Sequence, residues 1–242
     1  MSHDVQYGTA VASVYDSFIS PSMLTSDAVE RLRPHVTDAR VLEIGVGTGR
    51  IAVPVAEIAA EVVGVDNSRP MLEEFRSKGV PGNVVLVEAD FRRPLPVTGR
   101  FDAAYATMGS LACVRSREEL VAALTHVRMA LKPGGSLSME YYATSTYRPL
   151  VAQHTLTMPT PHRAGGTTTF TVTLDDGDVL TMHTRIDEDD APPVEFAEQI
   201  LLIERAEVEA CLAEAGFAVA HVDPVEGFQP YDWYTALNEG MQ

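Results

Sequence analysis

The sequence predicts an α/β fold in which an open parallel sheet has helices on both faces and a β-rich cap follows the fifth strand. Over residues 1–142, short β-branched apolar runs alternate with segments of helical periodicity, a pattern typical of parallel βαβ units. After Tyr142 the helical pattern gives way to Thr-rich stretches in which apolar and polar residues alternate, as they do in antiparallel strands.

Five apolar runs bounded by turn residues are predicted as the strands of the parallel sheet: residues 40–46, 61–66, 84–90, 101–107 and 135–142. Helices are predicted between them. The clearest begins at a capping box formed by Ser116 and Glu119, and its apolar stripe continues to Leu131. The other two cover residues 51–59 and 69–78.

The segment 143–190 shows no helical period. Its two alternating runs, "TTTFTVTL" and "VLTMHTRI", flank the turn sequence "DDGD" and predict a β-hairpin. Further on, "EFAEQILLI" predicts a strand, residues 204–215 a helix, and "FAVAHVD" with "WYTAL" a closing antiparallel pair.

These elements divide the chain into four parts. Residues 1–39, with "TSDAVERLR" as a helix, are predicted to form an N-terminal helical cap, and residues 40–142 the ligand-binding core. Residues 143–195 are expected to be a β-hairpin that acts as a substrate lid or a dimer contact. Residues 196–242 are expected to complete the core.

The composition excludes several classes of protein. Of 242 residues, 45% are hydrophobic and 21% charged, as in an ordinary globular chain. A net charge of -16 without any basic cluster argues against nucleic-acid binding. The two cysteines lack ligand spacing, so neither a disulfide framework nor a metal site is predicted. Since no signal peptide or membrane-spanning run is found, we expect a cytoplasmic protein without a membrane partner.

The first predicted strand ends in "VLEIGVGTGR", a glycine-rich turn of spacing G-x-G-x-G at Gly45, Gly47 and Gly49. A dinucleotide fingerprint is G-x-G-x-x-G, and its third glycine position is occupied here by Arg50. Glu43 precedes the loop; its carboxylate would repel a pyrophosphate but suits an ammonium or a sulfonium. The loop therefore favours a cationic ligand over a dinucleotide.

"VLEIGVGTGR" resembles motif I of class I S-adenosylmethionine-dependent methyltransferases, whose pattern is E/D-x-G-x-G-x-G. "DNSRPML" (66–72), "EADF" (88–91), "FDAAYATMGSL" (101–111) and "LKPGG" (131–135) are similar to the motifs that follow in this family. The resemblance is dense over residues 40–142 and loose over 195–222. It implies a Rossmann-like class I methyltransferase sheet, with S-adenosylmethionine as cofactor and S-adenosylhomocysteine as product.

The resemblance also implies roles for individual residues. Asp66, about 20 residues after the loop, would hold the ribose hydroxyls. Met71 would pack on adenine, Asp90 would accept from the adenine amino group, and the Ala106 carbonyl would face the methionine amino group. The predicted cofactor site is Tyr15, Glu43, Gly45, Gly47, Gly49, Asp66, Asn67, Met71, Ala89, Asp90, Phe91, Ala106, Thr107 and Met108.

Each of these residues also has a purely structural interpretation. The three glycines could form a tight strand-to-helix turn. Asp66 could cap the next helix, a role that Ser68 could share. Met71 could be core, and Asp90 could begin a turn.

Two N-terminal tyrosines, Tyr7 and Tyr15, are eight residues apart and so lie on roughly one helical face. In several small-molecule methyltransferases a tyrosine in a similar "YD" segment closes over the cofactor. By this resemblance Tyr15 is a cofactor and catalytic candidate and Tyr7 a substrate contact. The alternative is that both rings are apolar cover for the first helix.

Candidate catalytic bases lie in or near the cap. His154 and His162 fall in a loop-rich segment, where functional residues concentrate. His183, in an alternating strand, is interpreted as a surface or packing residue. Tyr142, which is also a base candidate, and Trp233 are predicted substrate contacts. Glu140 is a further candidate base, and Tyr231 and Tyr234 are further candidates for the acceptor pocket. The alternative for Trp233 is a packing role, and the alternative for the histidines is that they are solvated surface residues.

The chain is similar to aminosugar N-methyltransferases and to the enzymes that methylate the amino terminus of linaridin-type peptides. Two segments depart from the aminosugar pattern: the apolar "TMGSLACV", which lacks a histidine, and "PYDW". We expect in-line methyl transfer to N or O of a small natural product or short peptide by a monomer or homodimer. The alternatives are an enzyme of the same fold that catalyses a non-methylating cyclisation or rearrangement, and a non-catalytic binding module.

Overall fold

The computed structural model describes residues 3–18, 23–160, 166–188, 191–224 and 230–240. In chain order the strands are β1 (Arg40–Ile44), β2 (Glu61–Asp66), β3 (Val84–Glu88), β4 (Phe101–Ala106), β5 (Leu131–Tyr142), β6 (Thr155–Pro159), β7 (Thr167–Leu174), β8 (Val179–Glu188), β9 (Ala191–Leu201), β10 (Phe217–Asp223) and β11 (Tyr231–Asn238).

The helices are α1 (His3–Val11), α2 (Tyr15–Phe18), α3 (Met23–Val36), α4 (Ala52–Ala56), α5 (Arg69–Lys78), α6 (Arg117–Ala130), α7 (Thr144–Gln153) and α8 (Arg205–Glu214). The predictions for α5 and α6 are confirmed, and the Ser116 hydroxyl accepts a hydrogen bond of 3.3 Å from the Glu119 amide at the start of α6. α4 ends three residues earlier than predicted. There the Asn83 side chain donates to the carbonyl oxygens of Ala56 and Ala59.

The main sheet has seven strands in the order β10-β11-β5-β4-β1-β2-β3. β1 to β5 pair in parallel, while β11 pairs antiparallel with both β5 and β10. The chain winds one way from β1 to β3 and the other way from β4 to β5. Loops after β1 and β4 therefore meet at the point where the strand order reverses, which is where open α/β sheets bind ligands.

Each face of this sheet buries one apolar cluster. On one side α3, α4 and α5 cover the sheet, and the cluster includes Leu32, Val55, Phe75, Tyr105 and Trp233. On the other side α6 and α8 pack through Leu120, Leu124, Val127, Val208 and Leu212. The second cluster continues into the cap through Leu180, Met182 and Ile200. Burial of the two faces thus fixes the ends of the strands relative to the cap.

The cap is a four-stranded antiparallel sheet in the order β6-β7-β8-β9, inserted after the fifth strand as predicted. The predicted hairpin forms its central pair, with Thr171 opposite His183. One strand, β6, was missing from that prediction and lies beside β7. The predicted strand "EFAEQILLI" overlaps β9, which pairs with β8 up to Leu201 and so extends the cap beyond its expected boundary at residue 195.

The prediction that residues 143–190 contain no helix is wrong. α7 occupies Thr144–Gln153, directly after β5. Three β-branched residues and an internal proline, Pro149, hide it in the sequence, and only Thr146 and Tyr147 of this helix are buried.

Candidate active site

The glycine loop follows β1, and all three glycines have left-handed backbone angles, with φ of 74° at Gly45, 53° at Gly47 and 84° at Gly49. A Cβ at Gly45 would lie 2.4 Å from the Ser110 hydroxyl, and one at Gly49 would lie 2.4 Å from the Phe75 ring. A Cβ at Gly47 would meet nothing closer than 4.0 Å. The loop is therefore packed tightly at its two ends and open at Gly47, which borders a cavity.

Asp66 ends β2 and ties this loop to the next helix. One of its carboxylate oxygens accepts a hydrogen bond of 2.8 Å from the Gly47 amide, and the other accepts one of 2.8 Å from the Ser68 amide. The cap position of α5 is occupied by Ser68 rather than Asp66. Ser68 keeps a buried hydroxyl without a hydrogen-bond partner in the described part of the chain, at the wall of the same cavity.

Two residues of the predicted cofactor site, Met71 and Phe91, line the cavity. The neighbouring Ala89 and Asp90 do not. The Asp90 carboxylate instead receives hydrogen bonds from the Arg92 backbone amide at 3.0 Å and from its guanidinium at 2.8 and 2.9 Å. The turn that we named as the alternative for Asp90 is the conformation observed, because Arg92 folds back onto the carboxylate.

Glu43 borders a second, smaller cavity of about 30 Å³. It is 2% exposed and accepts a hydrogen bond of 2.8 Å from the Tyr105 hydroxyl. Burial raises the pKa of Glu43 to about 8, although the Tyr105 hydrogen bond and the Arg50 charge oppose that rise. Arg50 borders the same cavity, so an acid and a guanidinium face one small space. This pairing is complementary to the ammonium and carboxylate of an amino acid.

The two cavities adjoin, since Tyr15, Gly45, Gly47, Met108 and Ser110 border both. After β4, Thr107 and Met108 reach the smaller cavity, whereas Ala106 is buried without bordering either one. The Met108 amide donates a hydrogen bond of 2.5 Å to the Glu140 carboxylate, which engages this base candidate with the loop after β4.

The N-terminal helices close the larger cavity. Tyr7 and Tyr15 both line it, and the Tyr15 hydroxyl lies 3.6 Å from the Met108 sulfur. A Cβ at Gly8 would come within 2.2 Å of the Ser68 hydroxyl, so α1 lies directly on the start of α5. The Tyr7 ring also meets Phe196 of β9 edge to face at 5.5 Å. Tyr7 and Tyr15 thus both cover apolar surface and form part of the cavity wall.

The opposite wall is one face of the cap sheet. The strand register places Thr184 opposite Phe170 on one side and Phe196 on the other, and Met182 opposite Glu198. All five side chains line the cavity, whose volume is about 240 Å³. The other cap face carries polar residues, including the exposed His183. Cap and glycine loop therefore enclose a common space.

Glu198 is a candidate site residue that the sequence interpretation missed. It lies half-buried at the cavity wall, where it accepts a hydrogen bond of 3.0 Å from the Tyr142 hydroxyl. Burial raises the pKa of Glu198 to about 7, against the lowering effect of that hydrogen bond. A signal was present in the alternation: along β9, Glu198 falls between Phe196 and Ile200 on the apolar face.

Several predicted residues lie elsewhere. His154, at the end of α7, is exposed and outside the cavity lining, with its Nδ1 3.1 Å from the Val172 carbonyl oxygen. Trp233 packs in the apolar cluster beneath α3, with the Arg31 guanidinium 5.5 Å from its ring centre. Tyr234 is buried in the sheet, whereas Tyr142 and Tyr231 line the cavity. The prediction for His162 lies outside the described residues.

Comparison with known proteins gives this site its class. Residues 41–135 match the family model described as a methyltransferase domain. The chain is 34% identical over 144 residues to the cypemycin N-terminal methyltransferase of a Streptomyces species; the match covers 58% of each chain.

Two solved structures share the fold over nearly the whole chain. The CcbJ methyltransferase from Streptomyces caelestis is 22% identical with a TM-score of 0.85, and the match covers 97% of this chain and 98% of that one. S-adenosylmethionine-bound CalS10, an amino pentose methyltransferase from Micromonospora echinaspora, is 23% identical with a TM-score of 0.73, over 94% and 95% of the two chains.

Residues 41–135 are therefore a methyltransferase domain, within a chain that has the class I S-adenosylmethionine-dependent methyltransferase fold. The cofactor of this class is S-adenosylmethionine. The site fits it: Gly47 leaves room at the cavity wall, and the Ser68 hydroxyl there lacks a partner among the described residues. No helix in the described ranges is long and apolar enough to cross a membrane. Within those ranges no cluster of three or more His, Cys, Asp or Glu side chains could hold a metal.

Proposed function

We propose that this protein is an S-adenosylmethionine-dependent methyltransferase that acts by in-line transfer on a small natural product or a short peptide, at an amine nitrogen. The observation that carries the proposal is the cavity of about 240 Å³ bounded by the glycine loop on one side and the cap sheet on the other. The cofactor supplies a methyl group activated by the positive charge of its sulfonium. The chain supplies alignment and exclusion of water, effects worth up to roughly 7–11 kcal/mol in well-oriented systems.

The size of the cavity supports a small acceptor. Part of its volume borders the loop residues Gly45, Gly47 and Asp66, and the remainder faces the cap. That remainder suits a small molecule or the terminal residue of a peptide. The chain's net charge of -16 disfavours a nucleic-acid acceptor. Nitrogen is preferred over oxygen because the cypemycin relative is named for methylation of an amino terminus.

Cofactor binding is tested first, by calorimetry with S-adenosylhomocysteine. We expect a single site in the wild-type protein and strongly weakened binding in Asp66→Ala, which removes the acceptor of the Gly47 and Ser68 amides. Glu57→Ala, at an exposed position directly after α4, is the matched control. Equal affinity in Asp66→Ala and wild type would refute this cofactor site.

Methyl transfer is then tested with a panel of small amines, alcohols and peptides with free amino termini. S-adenosylhomocysteine and methylated product should form in equal amounts, with amines as the reactive members. Product formed without consumption of the cofactor would instead indicate the cyclisation or rearrangement chemistry. Cofactor binding without turnover of any acceptor would favour a binding module.

A further inference from the structure

Glu198 interrupts an otherwise apolar surface. Val194, Phe196, Glu198 and Ile200 alternate on one face of β9; of these, Phe196 and Glu198 line the main cavity, and the cross-strand partner of Glu198 is Met182. Glu195, on the opposite face of the same strand, is exposed and paired with Arg185. A carboxylate at a core-facing position is costly unless it is paired. A group that pairs with Glu198 would therefore stabilise the charged carboxylate at this position.

Five aromatic residues line the same cavity as this carboxylate: Tyr7, Tyr142, Tyr147, Phe196 and Tyr231. We call them the aromatic box. The Tyr142 ring meets Tyr147 and Tyr231 edge to face, each at a centroid distance of 5.0 Å. The rings come from α1, β5, α7, β9 and β11, so the box is assembled from the core, the cap and the N-terminal segment. Aromatic faces attract cations, most strongly where water is excluded.

No positive side chain neutralises Glu198 in the part of the chain that the structure describes. Its hydrogen-bond partner there is the Tyr142 hydroxyl, a neutral donor. Glu198 interacts electrostatically with five tyrosine hydroxyls: Tyr7, Tyr15, Tyr142, Tyr147 and Tyr231. All five are raised above their ordinary pKa, chiefly by burial, and so are uncharged at neutral pH. The net charge of the box is that of Glu198 alone.

A hydroxyl group in the cavity wall lacks a hydrogen-bond partner among the described residues. Thr184 is 2% exposed, and its Oγ1 makes no hydrogen bond within the described residues. It lies on β8, opposite Phe196 and next to the Met182–Glu198 pair. A buried hydroxyl without a partner costs free energy, which a ligand with a hydrogen-bonding group would recover.

We propose that Glu198, within the aromatic box, binds the ammonium group of the methyl acceptor and thereby selects amines over alcohols of the same shape. This inference rests on the proposed function for the reaction itself. It adds the residue that determines the chemical class of acceptor. The box supplies attraction to the cation, Thr184 an additional hydrogen bond, and Glu198 the charge.

The experiment compares two nearly isosteric probes, cyclohexylammonium and cyclohexanol, on protein saturated with S-adenosylhomocysteine. Affinities are measured by calorimetry at pH 6.0 and pH 8.5, over which range the amine is cationic. At pH 8.5 the wild type should prefer the amine by at least about tenfold, a factor that corresponds to roughly 1.4 kcal/mol. At pH 6.0, where the Glu198 carboxyl is largely protonated because its pKa is about 7, this preference should shrink.

Glu198→Gln keeps the shape of the side chain and its hydrogen bonding but removes the charge. It should lose the preference for the amine at pH 8.5 while cyclohexanol affinity stays unchanged. Glu195→Gln makes the same change on the exposed face of β9 and should behave as the wild type. Binding of S-adenosylhomocysteine by every variant verifies that each one folds.

The outcomes separate this inference from the proposed function. Failure of the wild type to bind S-adenosylhomocysteine contradicts the proposed function, whatever the probes show. Normal binding of S-adenosylhomocysteine with an undiminished amine preference in Glu198→Gln overturns the role of Glu198. A wild type that binds neither probe, or binds both equally at pH 8.5, overturns it as well.

Discussion

The Tyr142 hydroxyl donates a hydrogen bond of 3.0 Å to the carboxylate of Glu198, which joins the last residue of β5 to the cap sheet. Tyr142 thereby connects the main sheet, which carries the glycine loop, with the cap wall of the cavity. A hydrogen bond to a carboxylate favours its charged form, so this contact partly offsets the rise in the pKa of Glu198 that burial causes.

Removal of the Tyr142 hydroxyl should raise the pKa of Glu198 further. In Tyr142→Phe the ring and its edge-to-face contacts stay, while the donor is lost. We expect the carboxyl to titrate above the wild-type value of about 7 in an NMR titration of labelled glutamate side chains. Tyr147→Phe, which removes a hydroxyl from the same box, is the control and should leave the titration nearly unchanged. An identical pKa in Tyr142→Phe and wild type would show that the hydrogen bond does not form in solution.

Glu198 should also make the stability of the protein depend on pH. Because burial raises its pKa from 4.5 to about 7, the folded protein retains this proton over a range where the unfolded chain has released it. Its contribution to stability is therefore full below pH 4.5 and is lost as the pH rises through about 7. Glu198→Gln has no such proton, so its free energy of unfolding should fall less between pH 5 and pH 8, by roughly 1–3 kcal/mol.

Urea denaturation of the ligand-free protein at several pH values measures this difference. Glu195→Gln serves as control, because the exposed Glu195 forms only a surface ion pair, which contributes little. If the free energy of unfolding changed equally with pH in the wild type and Glu198→Gln over the whole pH range, Glu198 would already be solvated and ionised in the folded protein.

The core of the fold was predictable because its signals are local. Strand runs, the glycine loop and the capping box of α6 each depend on residues close together in sequence. The position of Gly47 and Asp66 at the cavity follows from the same local order. The cap was harder: whether the alternating face of β9 meets solvent or a cavity depends on strands and helices far away in the sequence.

The surroundings of three predicted residues likewise depend on contacts that the local sequence pattern did not show. Asp90 begins a turn in which Arg92 donates to its carboxylate, a contact that the sequence did not predict. Trp233 lies just two residues beyond Tyr231 on β11, yet it packs beneath α3 rather than in the cavity. His154 follows a helix that the periodicity did not show. Glu198 was overlooked because a single carboxylate in a strand usually indicates an exposed face.

The open position at Gly47 gives a prediction about cofactor binding. Its φ of 53° is unfavourable for alanine, and the added methyl would point into space that borders both cavities. Gly47→Ala should therefore lose stability by about 1 kcal/mol and weaken S-adenosylhomocysteine binding at least tenfold. Gly79→Ala is the matched control: its φ is 92° and no atom lies within 4 Å of a Cβ there, but it lies at the end of α5, away from both cavities. Gly79→Ala should lose stability without any loss of affinity for S-adenosylhomocysteine. Equal affinities for the two variants would exclude Gly47 from the cofactor site.

Glu43 should couple cofactor binding to proton release. In the ligand-free protein its pKa is raised to about 8 by burial, so at pH 7 the carboxyl is mostly protonated. The ammonium of S-adenosylhomocysteine in the small cavity would favour the ionised form and lower that pKa. Affinity should thus increase with pH up to about 8, by as much as about tenfold per pH unit.

Glu43→Gln cannot release a proton, so its affinity for S-adenosylhomocysteine should be weaker and nearly constant between pH 6 and pH 8. Calorimetry in two buffers of different ionisation enthalpy measures the number of protons released on binding. We expect close to one proton per site in the wild type at pH 7, and none from residue 43 in Glu43→Gln. Glu57→Gln, an exposed change at the end of α4, should keep the wild-type dependence. The same pH dependence in Glu43→Gln and wild type would mean that the ammonium is bound elsewhere, and the acidic residue before the glycine loop would then have only the structural role of accepting from Tyr105.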